Sequence, residues 1–99
     1  MNLINQNINK LSQLCNQHKV EHMYLFGSAT NSTFSDESDI DFLVKFKSSE
    51  IKDYFSNYLT LKTNLANLLG REVDLVEEQA LKNPILIRSI NKSKELIYG

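Results

Sequence analysis

The chain has 99 residues, 41% of them hydrophobic and 23% charged, with 11 Lys and Arg against 12 Asp and Glu for a formal net charge of −1. That length accommodates one hydrophobic core, so residues 1–99 read as a single domain. The charge balance argues against direct DNA or RNA binding through a broadly basic face, the lone Cys15 excludes an internal disulfide or a cysteine-rich zinc site, and no apolar run approaches the roughly 20 residues of a membrane span.

The start of the chain, Met1-Asn2-Leu3-Ile4-Asn5-Gln6, lacks the basic region and apolar run of a signal peptide, so a cytoplasmic location is expected. Ile4, Ile8, Leu11, Cys15 and His18 recur at spacings of 4, 3, 4 and 3, one face of a helix over 3–18. Cys15 on that stripe reads as a small buried hydrophobe, and His18 and His22 as structural or surface residues. Met23-Tyr24-Leu25-Phe26 is a short buried strand that stops at Gly27. The polar stretch from Gly27 to Ser38 reads as a loop, or a short helix and a loop. Ile40, Phe42, Val44 and Phe46 then alternate with Asp39, Asp41, Leu43 and Lys45, the period of a strand.

Ile51, Tyr54, Phe55, Tyr58, Leu61, Leu65, Leu68 and Leu69 repeat at helical spacing up to Gly70, and Tyr54, Phe55 and Tyr58 read as core or partner interface. Val73-Asp74-Leu75-Val76 is a third strand, Asn83-Pro84 opens a last helix carrying Ile87 and Ile90 on one face, and Leu96-Ile97-Tyr98 adds a short edge strand. The order α-β-(α)-β-α-β-α-(β) predicts an α/β or α+β domain, a small mixed β-sheet flanked by helices.

The chemistry concentrates in three carboxylates. Asp39 and Asp41 stand two apart on one strand, so both point to the same face with Cα atoms about 6.5–7 Å apart. Asp74 lies mid-strand between apolar neighbours, where an acid is costly unless it is paired, metal-bound or at an open edge. Three converging carboxylates repel one another, and Mg²⁺ is the counter-charge that oxygen ligands with open positions suit. Two such ions stabilise the attacking and leaving oxygens of a phosphoryl or nucleotidyl transfer. Gly27-Ser28, directly after a strand, supplies a tight turn, backbone donors and a hydroxyl for a phosphate. Ser38 joins the candidate phosphate-binding set. A calcium loop of the EF-hand type fails on spacing: counted from Glu37, Phe42 stands where a Gly is needed and Ser48 where a Glu is needed.

Leu25-Phe26-Gly27-Ser28, then Ser38-Asp39-Ile40-Asp41-Phe42-Leu43-Val44, then Gly70-Arg71-Glu72-Val73-Asp74-Leu75-Val76, resembles the DNA polymerase beta-type nucleotidyltransferases. The length resembles their smallest members, the minimal nucleotidyltransferases (MNT proteins). The resemblance implies the polymerase beta-type fold and two Mg²⁺ ions on Asp39, Asp41 and Asp74, with Asp74 also placed to activate the attacking group. It implies that Gly27 and Ser28 hold the outer phosphates of a nucleoside triphosphate, ATP above all, and that AMP is transferred with release of pyrophosphate. Many minimal members pair with a HEPN-domain toxin, and the same antitoxin role, adding AMP to a tyrosine of that partner, is implied here. One departure stands out: relatives commonly carry an Arg just after Gly-Ser and an Arg-Gly pair further on, where this chain has Ala29-Thr30-Asn31-Ser32. A basic phosphate contact must then come from elsewhere, with Lys45, Arg71 and Arg88 as the candidates. The alternatives from other classes are a non-catalytic antitoxin that neutralises its partner by occlusion, and a transferase acting on a small molecule.

Overall fold

The computed structural model describes residues 2–27 and 39–99. Its elements are α1 (Asn2–Gln6), α2 (Ile8–Gln17), β1 (Val20–Phe26), β2 (Ile40–Phe46), α3 (Tyr54–Leu69), β3 (Val73–Glu77), α4 (Pro84–Ser93) and β4 (Glu95–Tyr98), with single 3₁₀ turns at Ser48–Glu50 and Glu78–Ala80. The strands form one sheet in the order β3-β2-β1-β4. β1 runs antiparallel to both β2 and β4, and β2 runs parallel to β3. A parallel pair needs a long crossover, and α3 with its flanking turns supplies it.

The expected alternation places the core. Ile40, Phe42, Val44 and Phe46 face α2 and α3, and with Leu11, Cys15, Leu61 and Leu65 they form the main buried cluster. Leu43 points to the opposite face and is nevertheless buried, because Ile87 and Ile90 of α4 and Leu81 close over it around a cavity of about 120 Å³. Helices thus cover both faces of the sheet, α4 only part of its own.

Three boundaries differ from the sequence reading. The first helix is two: Asn7 breaks it, with its side-chain amide donating to the Leu3 carbonyl at 2.9 Å and its backbone N–H to Ile4 at 3.1 Å. Asn competes in this way with the helical backbone, which periodicity of the apolar residues does not register. β1 begins three residues before Met23, at Val20, with an irregularity between Val20 and His22 that lets the polar pair Glu21-His22 enter the strand. α3 begins at Tyr54 rather than Ile51, because Asp53 caps it by accepting from the Ser56 N–H at 3.1 Å. Its other end is as read: Gly70 takes the left-handed conformation at φ 65° that closes the helix. Tyr54 and Tyr58 pack against the core, whereas Phe55 is 71% exposed.

Candidate active site

Asp41 occupies the second position of β2, the strand between β1 and β3. Its partner across the antiparallel ladder is Phe26, the residue before Gly27, and its partner across the parallel ladder is Asp74. Directly paired residues hold their Cβ atoms about 5 Å apart, so one carboxylate stands beside the other across the ladder. Asp39 lies one pleat away on the same side, exposed, where β2 is tied to β3 by the Ile40 N–H donating to the Glu72 carbonyl at 3.0 Å.

The electrostatics follow from this crowding. The Asp41 carboxyl titrates above its ordinary value, first because it is half-buried, then because Asp74 and Asp39 repel its charge. Among the described residues no three His, Cys, Asp or Glu side chains converge closely enough to hold an ion as they stand. Asp39 and Asp74, both exposed, are the ones with room to turn toward Asp41. The donor set is purely carboxylate oxygen with open positions, which fits Mg²⁺ and not a zinc-type centre.

Between the ordinary value of 3.8 and the raised one, the native protein keeps a proton that the unfolded chain releases, so stability falls as pH rises through that window and the cost is fully present above it. In metal-free buffer near neutral pH, Asp41→Asn is therefore expected to melt at a higher temperature than the native sequence. The difference is expected to vanish below the ordinary carboxylate range. Thermal melts across the acid range check this, and a variant that melts lower throughout would overturn it.

Gly27 approaches Asp41 from the other flank. It has φ 76°, and a Cβ there would collide with Asp41 Oδ2 and stand 3.3 Å from its Cγ. The absence of a side chain is thus what lets the turn close over the carboxylate. Ser28 and Ser38, the other residues assigned to phosphate, lie outside the described residues, as do Ala29–Ser32.

Lys45 is not brought to this site. It sits four residues along β2 from Asp41, roughly 13 Å at the rise of a strand, and its Nζ pairs with Glu21 at 3.3 Å. The buried Leu43 stands between the two. Arg71, the second cation considered, is already engaged with a partner of its own. Arg88 is exposed on α4.

Sequence reasoning passed over the α3 side of the site. A cavity of about 530 Å³ is bounded there by Leu59, Lys62, Thr63 and Ala66 of α3, by Glu72 and Asp74 beside or on β3, and by Asp39. Lys62 carried no signal in the sequence beyond a polar position on an amphipathic helix. Also unforeseen, the Tyr58 hydroxyl donates to the Leu75 carbonyl, which ties the strand of Asp74 to α3 at the open edge of the sheet. His22 meets Glu78 at 2.5 Å, and His18, at the end of α2, donates from Nδ1 to the Leu14 carbonyl at 3.0 Å.

A family profile described as Polymerase beta, Nucleotidyltransferase matches residues 9–99. Two proteins of Methanocaldococcus jannaschii, each named "Putative protein adenylyltransferase", are similar in sequence. One is 38% identical over 85 residues, covering 86% of this chain and 82% of the relative. The other is 40% identical over 82 residues, covering 83% and 79%. Among solved structures, one described as a "putative minimal nucleotidyltransferase" superposes with a TM-score of 0.75 at 27% identity, covering 92% of this chain and 89% of that one. A toxin-antitoxin crystal structure with AMP-PNP gives a TM-score of 0.72 at 28% identity, covering 94% and 73%. A Shewanella oneidensis complex of a tri-AMPylated HEPN toxin with its MNT antitoxin gives 0.67 at 26% identity, covering 97% and 72%.

Proposed function

Because this chain belongs to the polymerase beta-type nucleotidyltransferases, we propose that it transfers AMP from ATP, with Mg²⁺, to a hydroxyl group of a partner protein, as the antitoxin of a HEPN-domain toxin in the cytoplasm. The observation that carries the chemistry is Asp41 set between Asp74 on one flank and Gly27 on the other. The protein partner rests on the adenylyltransferase relatives and on the toxin-antitoxin structures that share the fold.

Asp39, Asp41 and Asp74 would hold the metal, two ions in the full site, which supplies charge neutralisation to the phosphates. Gly27, with Ser28 beside it, receives the β- and γ-phosphates at backbone N–H groups. Asp74 stands on the flank away from that cradle, so a hydroxyl entering there meets the α-phosphorus opposite the leaving group. The hydroxyl proton passes to an Asp74 carboxylate oxygen, the hydroxyl oxygen bonds to the α-phosphorus, and the bond to the bridging oxygen breaks, releasing pyrophosphate. Asp41, central and half-buried, orients the assembly.

Label transfer tests the proposal. The pure protein is incubated with α-phosphate-labelled ATP, Mg²⁺ and a lysate of its host. The expected result is label on a discrete protein band, lost when Mg²⁺ is chelated. No label from a folded preparation, together with partner inhibition that persists without nucleotide and in the Asp39/Asp41 double variant, would instead establish an antitoxin that acts by occlusion.

A further inference from the structure

A triphosphate seated over three aspartates keeps net negative charge even with two divalent ions bound, so a positive side chain within reach stabilises the complex. Residues Ala29–Ser32 contain no cation. Lys45 is paired with Glu21 beyond the buried Leu43, Arg71 is already engaged, and Lys94 lies 4.3 Å over the Tyr24 ring.

Lys62 differs from all of these. It borders the same cavity as Asp39 and Asp74, and it is half-buried. Among the described residues it has no hydrogen-bond or ion-pair partner, although Asp39, Glu72 and Asp74 share that cavity with it. Leu59 and Ala66, three residues before it and four after, form with it one stripe of α3, along which its methylene stem can lie while its ammonium stays in the open cavity. A partly desolvated cation left unpaired beside three carboxylates is placed for an anion that enters from outside.

Strand order indicates which anion. Gly27 flanks Asp41 on the β1 side and Asp74 flanks it on the β3 side, where the cavity opens. If the outer phosphates rest at Gly27, the part of the triphosphate nearest the cavity is the α-phosphate. We propose that Lys62 is the basic residue of the nucleotide site and that its ammonium donates to a non-bridging oxygen of the α-phosphate. Lysine serves phosphate well as a compact point charge, without the fork geometry of arginine. The assignment rests on the nucleotidyltransferase reading of Asp39, Asp41 and Asp74, and it explains how the site works with no arginine after Gly27-Ser28.

Calorimetric titration with Mg²⁺ and the α,β-methylene analogue of ATP, whose α-phosphoryl group cannot be transferred, tests this apart from turnover. Lys62→Met is expected to weaken binding roughly tenfold or more, and Lys62→Gln to do the same should the methionine variant melt early. Lys62→Arg, which keeps the charge, is expected to recover most of the affinity. Lys92→Met on α4 serves as the control and is expected to bind as the native protein does. Native-like affinity in a folded Lys62→Met or Lys62→Gln protein overturns the assignment and leaves the nucleotidyltransferase reading standing. A loss in Lys62→Arg as large as in Lys62→Met overturns the charge role. If the native protein itself does not bind the Mg²⁺ complex of the analogue, the nucleotide reading falls and this inference with it.

Discussion

Asp41→Asn is expected to fold normally and to lose nucleotidyl transfer by roughly 10²–10³-fold or more, the scale seen when one preorganised charge-stabilising group is removed from an active site. The amide has the shape of the carboxylate but no charge. Asp41 is the only one of the three acids with another carboxylate paired to it across a ladder on one side and a glycine closed over it on the other. Its loss is therefore expected to weaken metal binding at the centre of the proposed constellation rather than at its rim. A 10³-fold loss corresponds to about 4 kcal/mol of transition-state stabilisation. Initial rates with α-labelled ATP measure it, and thermal melting shows whether the fold is retained. The melting experiment has its own expected sign: without metal the variant gains stability, because burial and the repulsion from Asp74 and Asp39 are relieved. Activity falling while metal-free stability rises is what a functional carboxylate does. A rate close to native would remove Asp41 from the machinery.

Gly27→Ala is the second large effect expected. Left-handed backbone costs a non-glycine residue about 1–2 kcal/mol, and Gly27 is at φ 76°. The added methyl group also collides with Asp41 Oδ2, so the carboxylate or the end of β1 must move. Displacement of a reacting group by about 1 Å can cost on the order of 10²-fold in rate. The expected outcome is a modest loss of stability, a transfer rate reduced about 10²-fold, and a smaller stabilisation by Mg²⁺. Gly70→Ala separates the two causes. Gly70 has a similar φ of 65° but nothing within 4 Å of an added Cβ. It is expected to lose comparable stability while keeping the transfer rate. Equal rates for the two variants would show that the contact at Asp41 does not matter to the chemistry.

Much of this site was legible along the chain because it is local. A strand places residues two apart on one face by its own geometry, so Asp39 and Asp41 were paired before any fold was known. Gly27 at the end of an apolar strand announced a turn with an open backbone, and Gly70 announced the end of α3. The same local rule mispaired Lys45. Alternation correctly put it on the face of Asp41, but it says nothing of distance along the strand or of what covers the residue between. Leu43 under α4, and Glu21 drawn next to Lys45 by the antiparallel ladder, are both consequences of packing. Lys62 was missed for the converse reason, since a polar residue on an amphipathic helix has no local mark that distinguishes solvent from a shared cavity.

The sequence by itself determined the four strands, α3 and α4, their order, the Gly27 turn and the Asp39-x-Asp41 pair, all properties of neighbours a few residues apart. Tertiary structure alone decided that Asp74 sits directly across from Asp41, that Lys45 is remote, and that Lys62 shares a cavity with Asp39 and Asp74. The physical reason is the parallel pairing of β2 with β3. Its register is set by the length of the α3 crossover and by which apolar faces of α3, β2 and β3 bury one another, over more than thirty residues of chain from Asp41 to Asp74.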